Sequence, residues 1–285
     1  MTTLREKMKQ EMTLRGFSSG TQDNYLRAVV NLHNHFNRNP AKLTVEEIKT
    51  YLLFLLAKKP MAASTYNVNI YGLKFFYENV LDRMMVAIRL PRHKEPQKLP
   101  DILSASEVER IIKATVNLKY RTLFILIYGA GLRAAEAASL CVHDIDSERS
   151  VIHVREGKGG KDRYVILSPL MLKALRMYWK QCRLKTSSQG QSSDFIFVGV
   201  SGKAISTASI AAQYRRSKEL AGIKKQGGIH SFRHAFATHA LEAGADLYAI
   251  KQLLGHAAIT STVRYLRMTD KTRQLVQSPV ELLSL

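Results

Sequence analysis

Six side chains suited to attack on a phosphodiester stand in order along this chain: Arg133, Lys158, His230, Arg233, His256 and Tyr265. Such a bond resists attack because the nucleophile must approach a negative charge and the leaving alkoxide is strongly basic. A catalyst must neutralise the phosphate oxygens, hold the nucleophile in line and protonate the leaving group. Arg133 and Arg233 offer planar guanidinium forks that match two phosphate oxygens and keep their charge. His230 lies three residues before Arg233, so one helical face would present both, with His230 as proton acceptor and phosphate contact. His256 follows Leu253-Leu254-Gly255, which reads as a helix end with its glycine stop, where an exposed imidazole could donate to a phosphate oxygen. Lys158 sits in the turn Gly157-Lys158-Gly159-Gly160-Lys161, from which a lysine can extend into a groove and protonate a leaving oxygen. Lys161 is its rival in the same turn. Glu136 follows Arg133 by three residues and would orient that guanidinium.

Each residue also has a plainer reading. Arg133 alone would pass for a surface arginine, Glu136 for half of an ordinary ion pair, and Lys158 for a solvated loop lysine. Tyr265, near Val263 and Leu266, would pass for a half-buried core residue. His230 and His234 have the i, i+4 spacing of a zinc-binding helix. Ser231 stands where that motif has glutamate, however, and no third ligand is in place, so no metal is expected. His234 and His239 read as packing residues. What favours chemistry is the joint occurrence of all six types in order.

The elements that must position them divide the chain in two. Residues 1–88 read as a bundle of about four helices. Ser19 with Gln22 is a start signal for a stripe of Tyr25, Val29, Leu32 and Phe36, and Thr44 with Glu47 for one of Ile48, Tyr51, Leu52 and Leu55. Ser64 opens a third stripe of Tyr66, Ile70, Leu73, Tyr77 and Leu81. Residues 89–102 hold three prolines among basic residues and read as a linker. Residues 103–285 open with a Ser104 to Glu107 capping box and an apolar helix from Tyr120 to Tyr128, broken at Gly129-Ala130-Gly131. Alternation from Ser150 to Arg155 and again from Arg163 to Leu167 predicts a hairpin, with one further short strand at Phe195 to Val198 and helices after Ser206. The fold class expected is mainly α with a small antiparallel sheet.

Forty-three Lys plus Arg against 23 Asp plus Glu give a formal charge of +20, which suits a polyanionic partner, nucleic acid first. Charge alone does not identify it. Two cysteines, Cys141 and Cys182, form neither a CxxC motif nor a disulfide framework. The charged amino terminus lacks the apolar core of a signal peptide, and the apolar run Leu123 to Leu132 is about half a membrane span, so a cytoplasmic protein with no membrane partner is expected.

The stretches His230-Ser231-Phe232-Arg233-His234 and Leu253-Leu254-Gly255-His256, with Tyr265 nine positions beyond that histidine, resemble the tyrosine recombinases, the phage-integrase family. The stretch Val154 to Arg163 resembles the corresponding turn of the chromosome-dimer-resolving recombinases and integron integrases of the family. The resemblance spans nearly the whole chain. It implies a SAM-like helical domain that grips the core DNA site, joined to an α+β catalytic domain. It also implies Tyr265 as nucleophile, a 3′-phosphotyrosyl intermediate, Lys158 as general acid, and exchange of duplex strands through a Holliday junction without cofactor, ATP or metal. The implied assembly is a homotetramer on double-stranded DNA, a dimer per site, joined by exchange of the apolar tail Pro279 to Leu285. Integration, excision or resolution of a mobile element or replicon would be the task. Type IB topoisomerase-like relaxation, or a DNA-binding protein without catalysis on the same scaffold, are the alternatives.

Overall fold

The computed structural model describes residues 2–58, 62–83, 101–155, 162–183, 194–256, 258, 259, 262, 263 and 265. The chain forms two compact units, Met1–Lys98 and Leu99–Leu285.

The first unit is helical: α1 (Thr2–Leu14), α2 (Ser19–Phe36), α3 (Val45–Lys58) and α4 (Ala63–Phe75), the last running on into a π turn at Phe76–Val80. Its stripes close on one core that includes Met8, Met12, Leu32, Ile48, Tyr51, Leu73 and Tyr77. The Thr44–Glu47 capping box forms as the sequence requires, with the Glu47 N–H on Thr44 Oγ1 and the Thr44 N–H on Glu47 Oε2. Two start signals differ. Ser18, not Ser19, caps α2 by accepting from the Thr21 N–H, and Gln22 donates to the Phe17 carbonyl instead. The fourth helix begins at Ala63 without a side-chain cap, because Ser64 already lies inside its first turn.

The second unit is built around α6 (Leu118–Gly129), capped by Asn117 and packed by α5 (Ala105–Ala114), α8 (Pro169–Tyr178) and α10 (His230–Glu242). Leu123, Phe124, Leu126 and Ile127 of α6 are all buried, so this helix is apolar on several faces because neighbours cover it on several faces. Ser104 and Glu107 make the expected capping box at the start of α5. Between α7 (Ala134–Ala138) and α8 lies a three-stranded antiparallel sheet of β1 (Ile145–Asp146), β2 (Val151–Val154) and β3 (Arg163–Ile166), in that order. Register pairs Ile152 with Val165 and Val154 with Arg163. Ile152, Val154 and Val165 face the core, while His153 and Tyr164 stack on the other face. The strand expected at Phe195 to Val198 does not form. Phe195 and Val198 make only isolated bridges, to Cys141 and Ala204, because neither neighbour continues as a strand. The chain continues through α9 (Thr207–Leu220), α10 and α11 (Leu247–Leu254). No helix among the described residues is long and apolar enough to cross a membrane.

Candidate active site

Where α6 ends, Gly131 adopts a φ of +63°, and a Cβ there would lie 2.4 Å from the Phe236 ring and 2.9 Å from Leu254. The glycine therefore does two things at once: it permits the left-handed turn and lets the end of α6 close on α10 and α11. The close approach is to the protein's own core. It leaves Arg133 at the cap position of α7, its N–H donating to Glu136 Oε2 at 2.7 Å and its Nη1 to Glu136 Oε1 at 2.6 Å.

Glu136 is a hub. Its side chain is 7% exposed, and besides Arg133 it accepts a two-pronged pair from Arg163 of β3, Nη1 to Oε1 at 2.9 Å and Nη2 to Oε2 at 2.7 Å. Arg233 Nη1 stands 3.8 Å from Oε2. Burial pushes this carboxyl up, but the hydrogen bonds from Arg163 and the Arg133 backbone, the charge of Arg163 and the hydrogen bond from the Arg133 side chain outweigh it and hold the pKa at about 2. The carboxylate stays ionised and binds three arginines into one cluster.

Arg233, on the first turn of α10, is 0% exposed. Its Nη1 donates to the Gly131 carbonyl at 2.7 Å and its Nη2 to the Leu254 carbonyl, while Nε is buried without a hydrogen-bond partner. Burial and then the Arg133 charge pull its pKa down to about 10, so it remains a cation at neutral pH. Arg163 Nε takes the adjacent carbonyl, that of Leu253, at 2.7 Å. Two guanidinia thus satisfy carbonyls that the C-terminus of α11 leaves open, and the negative end of that helix faces the cation cluster.

Gly255 ends α11 at φ 61°, as its position in the sequence requires, and delivers His256 to the cluster. His256 is half-buried, not exposed. Burial first, then the charges of Arg233, Arg133, His230 and Arg163, lower its pKa to about 4, so it is a neutral imidazole at pH 7. Its Nδ1 is 2.9 Å from Thr262 Oγ1, and its ring stacks over that of Tyr265. Tyr265 is 2% exposed and packs with Phe236, Ala237, Leu241, Ile250 and Leu254. Its hydroxyl lies 3.0 Å from His234 Nδ1, and the His234 ring in turn packs edge-on against that of His230.

Arg133, Glu136, His230, Arg233, His256 and Tyr265 therefore converge. Lys158 and Lys161 fall in the turn 156–161, outside the described residues, although β2 and β3 on either side of it do form the hairpin. The tail Pro279 to Leu285 also lies outside them. Three further residues join the site: Arg163, Thr262 and His234. The i, i+4 spacing of His234 after His230 was a signal for the last, which packs as expected on the rings of His230 and Tyr265 and also meets the Tyr265 hydroxyl, while His239 packs against Tyr128, with Nδ1 3.0 Å from its Oη. Among the described residues one group has metal-ligand types within reach of one another, Cys141, His143 and Asp144. Arg155 Nη2 already stands 2.8 Å from Asp144 Oδ1, and Oδ2 accepts the Cys141 N–H, so the carboxylate is already ion-paired within the protein.

Residues 101–272 match the phage integrase family, and residues 4–86 match the phage integrase N-terminal SAM-like domain. The chain is 40% identical over 285 residues to an integrase/recombinase of Sinorhizobium fredii, covering 99% of this chain and 90% of that protein. It is 33% identical over 221 residues to tyrosine recombinase XerA of Pyrococcus horikoshii, covering 76% of this chain and 73% of that protein. Its fold matches a lambda integrase, solved as a tetramer bound to a Holliday junction, with a TM-score of 0.72 at 16% identity over 93% of this chain and 76% of that one. The chain therefore belongs to the phage integrase family, as a tyrosine recombinase that cleaves and rejoins DNA.

Proposed function

We propose that this protein recombines duplex DNA at a specific site, with Tyr265 as nucleophile, through a 3′-phosphotyrosyl intermediate and a Holliday junction. The tyrosine oxygen bonds to phosphorus as the P–O5′ bond breaks; the tyrosine proton passes to a histidine, and Lys158 protonates the 5′ oxygen. Arg133 and Arg233 neutralise the non-bridging oxygens, His230 and His256 contact the same phosphate, and Glu136 orients the arginines. The energy of the broken bond is kept in the ester, so rejoining runs as the reverse reaction without ATP. The observation that carries the reading is the convergence of three arginines on Glu136 close to the stacked pair Tyr265 and His256. Tyr265 and Arg233 are both covered in the free protein, so the reading includes a step before chemistry in which DNA binding uncovers them.

On this reading four copies assemble on two sites, a dimer on each, and the tail Pro279 to Leu285 of one copy docks on the next. The task is integration, excision or resolution of a mobile element or replicon, carried out in the cytoplasm where that DNA lies. The decisive test is covalent capture on a DNA duplex nicked beside the cleavage position, which traps the adduct. Tyr265→Phe should bind the site and form no adduct; an adduct at wild-type yield would overturn the assignment. Deleting Pro279 to Leu285 should spare binding to a single site and weaken pairing of sites and recombination together.

A further inference from the structure

We infer that Arg163 is a positioning residue of this reaction, one that couples the hairpin strand β3 to the phosphate-binding arginines and to His256. The inference rests on the reading of the site given above. Three of its donors are committed, two to α7 and the third to the end of α11. Nη1 and Nη2 grip both oxygens of Glu136, the carboxylate that holds Arg133, and Nε grips the Leu253 carbonyl two residues before Gly255 and three before His256. With a side chain only 9% exposed and its donors so engaged, Arg163 is placed to hold the groups that would meet the phosphate.

A second observation points the same way. A Cβ on Gly255 would lie 3.1 Å from Arg163 Cδ and 3.3 Å from its Nε and Nη1, so the helix stop that delivers His256 is shaped around this guanidinium. Arg163 is also paired in register with Val154, as the first residue of the strand that leaves the turn containing Lys158. Displacement of that strand would therefore reach Arg133 through one carboxylate and His256 through one carbonyl. Lysine cannot substitute. It brings a single ammonium with three donors at one point, whereas the contacts here span a fork and a third direction.

The test uses the full chain and the nicked duplex, comparing Arg163→Lys and Arg163→Ala with wild type in single-turnover cleavage at saturating protein. Arg163→Lys keeps the charge that balances Glu136, and thermal unfolding read by the single tryptophan, Trp179, shows that it is folded at the assay temperature. We expect cleavage to fall by about 10- to 100-fold, the range for misplaced catalytic groups and lost supporting contacts. Duplex affinity should stay within about threefold.

A methylphosphonate at the scissile position separates positioning from general loosening, because it removes the charge that Arg133 neutralises. Both Arg163 variants should lose less on the methylphosphonate than on the phosphate, as Arg133→Ala should, whereas a merely loosened fold would lose equally on both. Equal losses, or wild-type rates for Arg163→Lys, would overturn the inference. Tyr265→Phe is measured alongside: an adduct from it overturns the nucleophile assignment and this inference together, while its inactivity beside a fully active Arg163→Lys overturns this inference alone.

Discussion

Replacing Glu136 by glutamine would change almost no volume and remove one charge, which makes it the sharpest probe of the cluster. A packing account allows a near-isosteric exchange to cost less than about 1.5 kcal/mol. The electrostatic account asks for more. A carboxyl held at about 2 instead of its usual 4.5 stabilises the folded chain by about 3 kcal/mol at neutral pH. Removing one partner from a buried ion pair costs about 3–5 kcal/mol, and here Arg163 and the fully buried Arg233 would face each other without their counter-charge. We therefore expect Glu136→Gln to lose about 3 kcal/mol in urea unfolding followed by Trp179 fluorescence, which reports on the unit Leu99–Leu285. The pH dependence has a definite sign. The folded pKa lies below the unfolded one, so the contribution is fully present above about 4.5 and is lost as pH falls toward about 2. The gap between wild type and variant should accordingly close across that window. A loss under about 1 kcal/mol at pH 7, or a gap that stays constant as the pH falls, would refute the account.

Three further outcomes follow from the same geometry. Gly131→Ala should lose about 3 kcal/mol in the same unfolding assay, combining a left-handed backbone with overlap on Phe236; a loss under about 1 kcal/mol would mean that α6 can reseat at little cost. His256 is neutral at pH 7, so contact with a phosphate should raise its pKa, and site affinity should strengthen as pH falls from 7 toward 5, more in wild type than in His256→Asn; parallel slopes would separate the imidazole from the phosphate. His234→Ala should slow adduct formation about 10-fold or more by removing the Nδ1 beside the tyrosine hydroxyl, with His234→Asn losing less; equal losses in the two would reduce the contact to packing.

The amphipathic stripes, the Thr44 and Ser104 capping boxes and the hairpin were legible because each is set by neighbours in sequence, a few residues apart. Ser18 displaced Ser19 as a cap, since either serine satisfies the pattern and only the path of the chain into α2 chooses between them. The short pairing of Ile145–Asp146 with β2 was not legible: two residues carry no alternation. Arg133 with Glu136 could be read from an i, i+3 spacing. Arg163 could not, because its partners lie 27 and 90 residues away, and in the sequence it closes a basic turn like any other strand-edge arginine.

The same distinction explains what the sequence reading expected of exposure and did not find. Local spacing says which side chains share a helical face, but whether that face meets solvent depends on what packs over it. His256 was expected to be exposed and is half-buried, and the Nη atoms of Arg233, expected to share a helical face with His230, close the carbonyls of Gly131 and Leu254, which only folding brings together. A buried guanidinium is tolerated there because the open carbonyls of a helix end and the Glu136 carboxylate together replace its lost hydration. Its Nε remains without a hydrogen-bond partner, an uncompensated donor beside Tyr265 and His256. On the function proposed above, an incoming phosphate oxygen would supply that missing acceptor, and a cost carried by the free protein would become binding energy at the place where charge develops during cleavage.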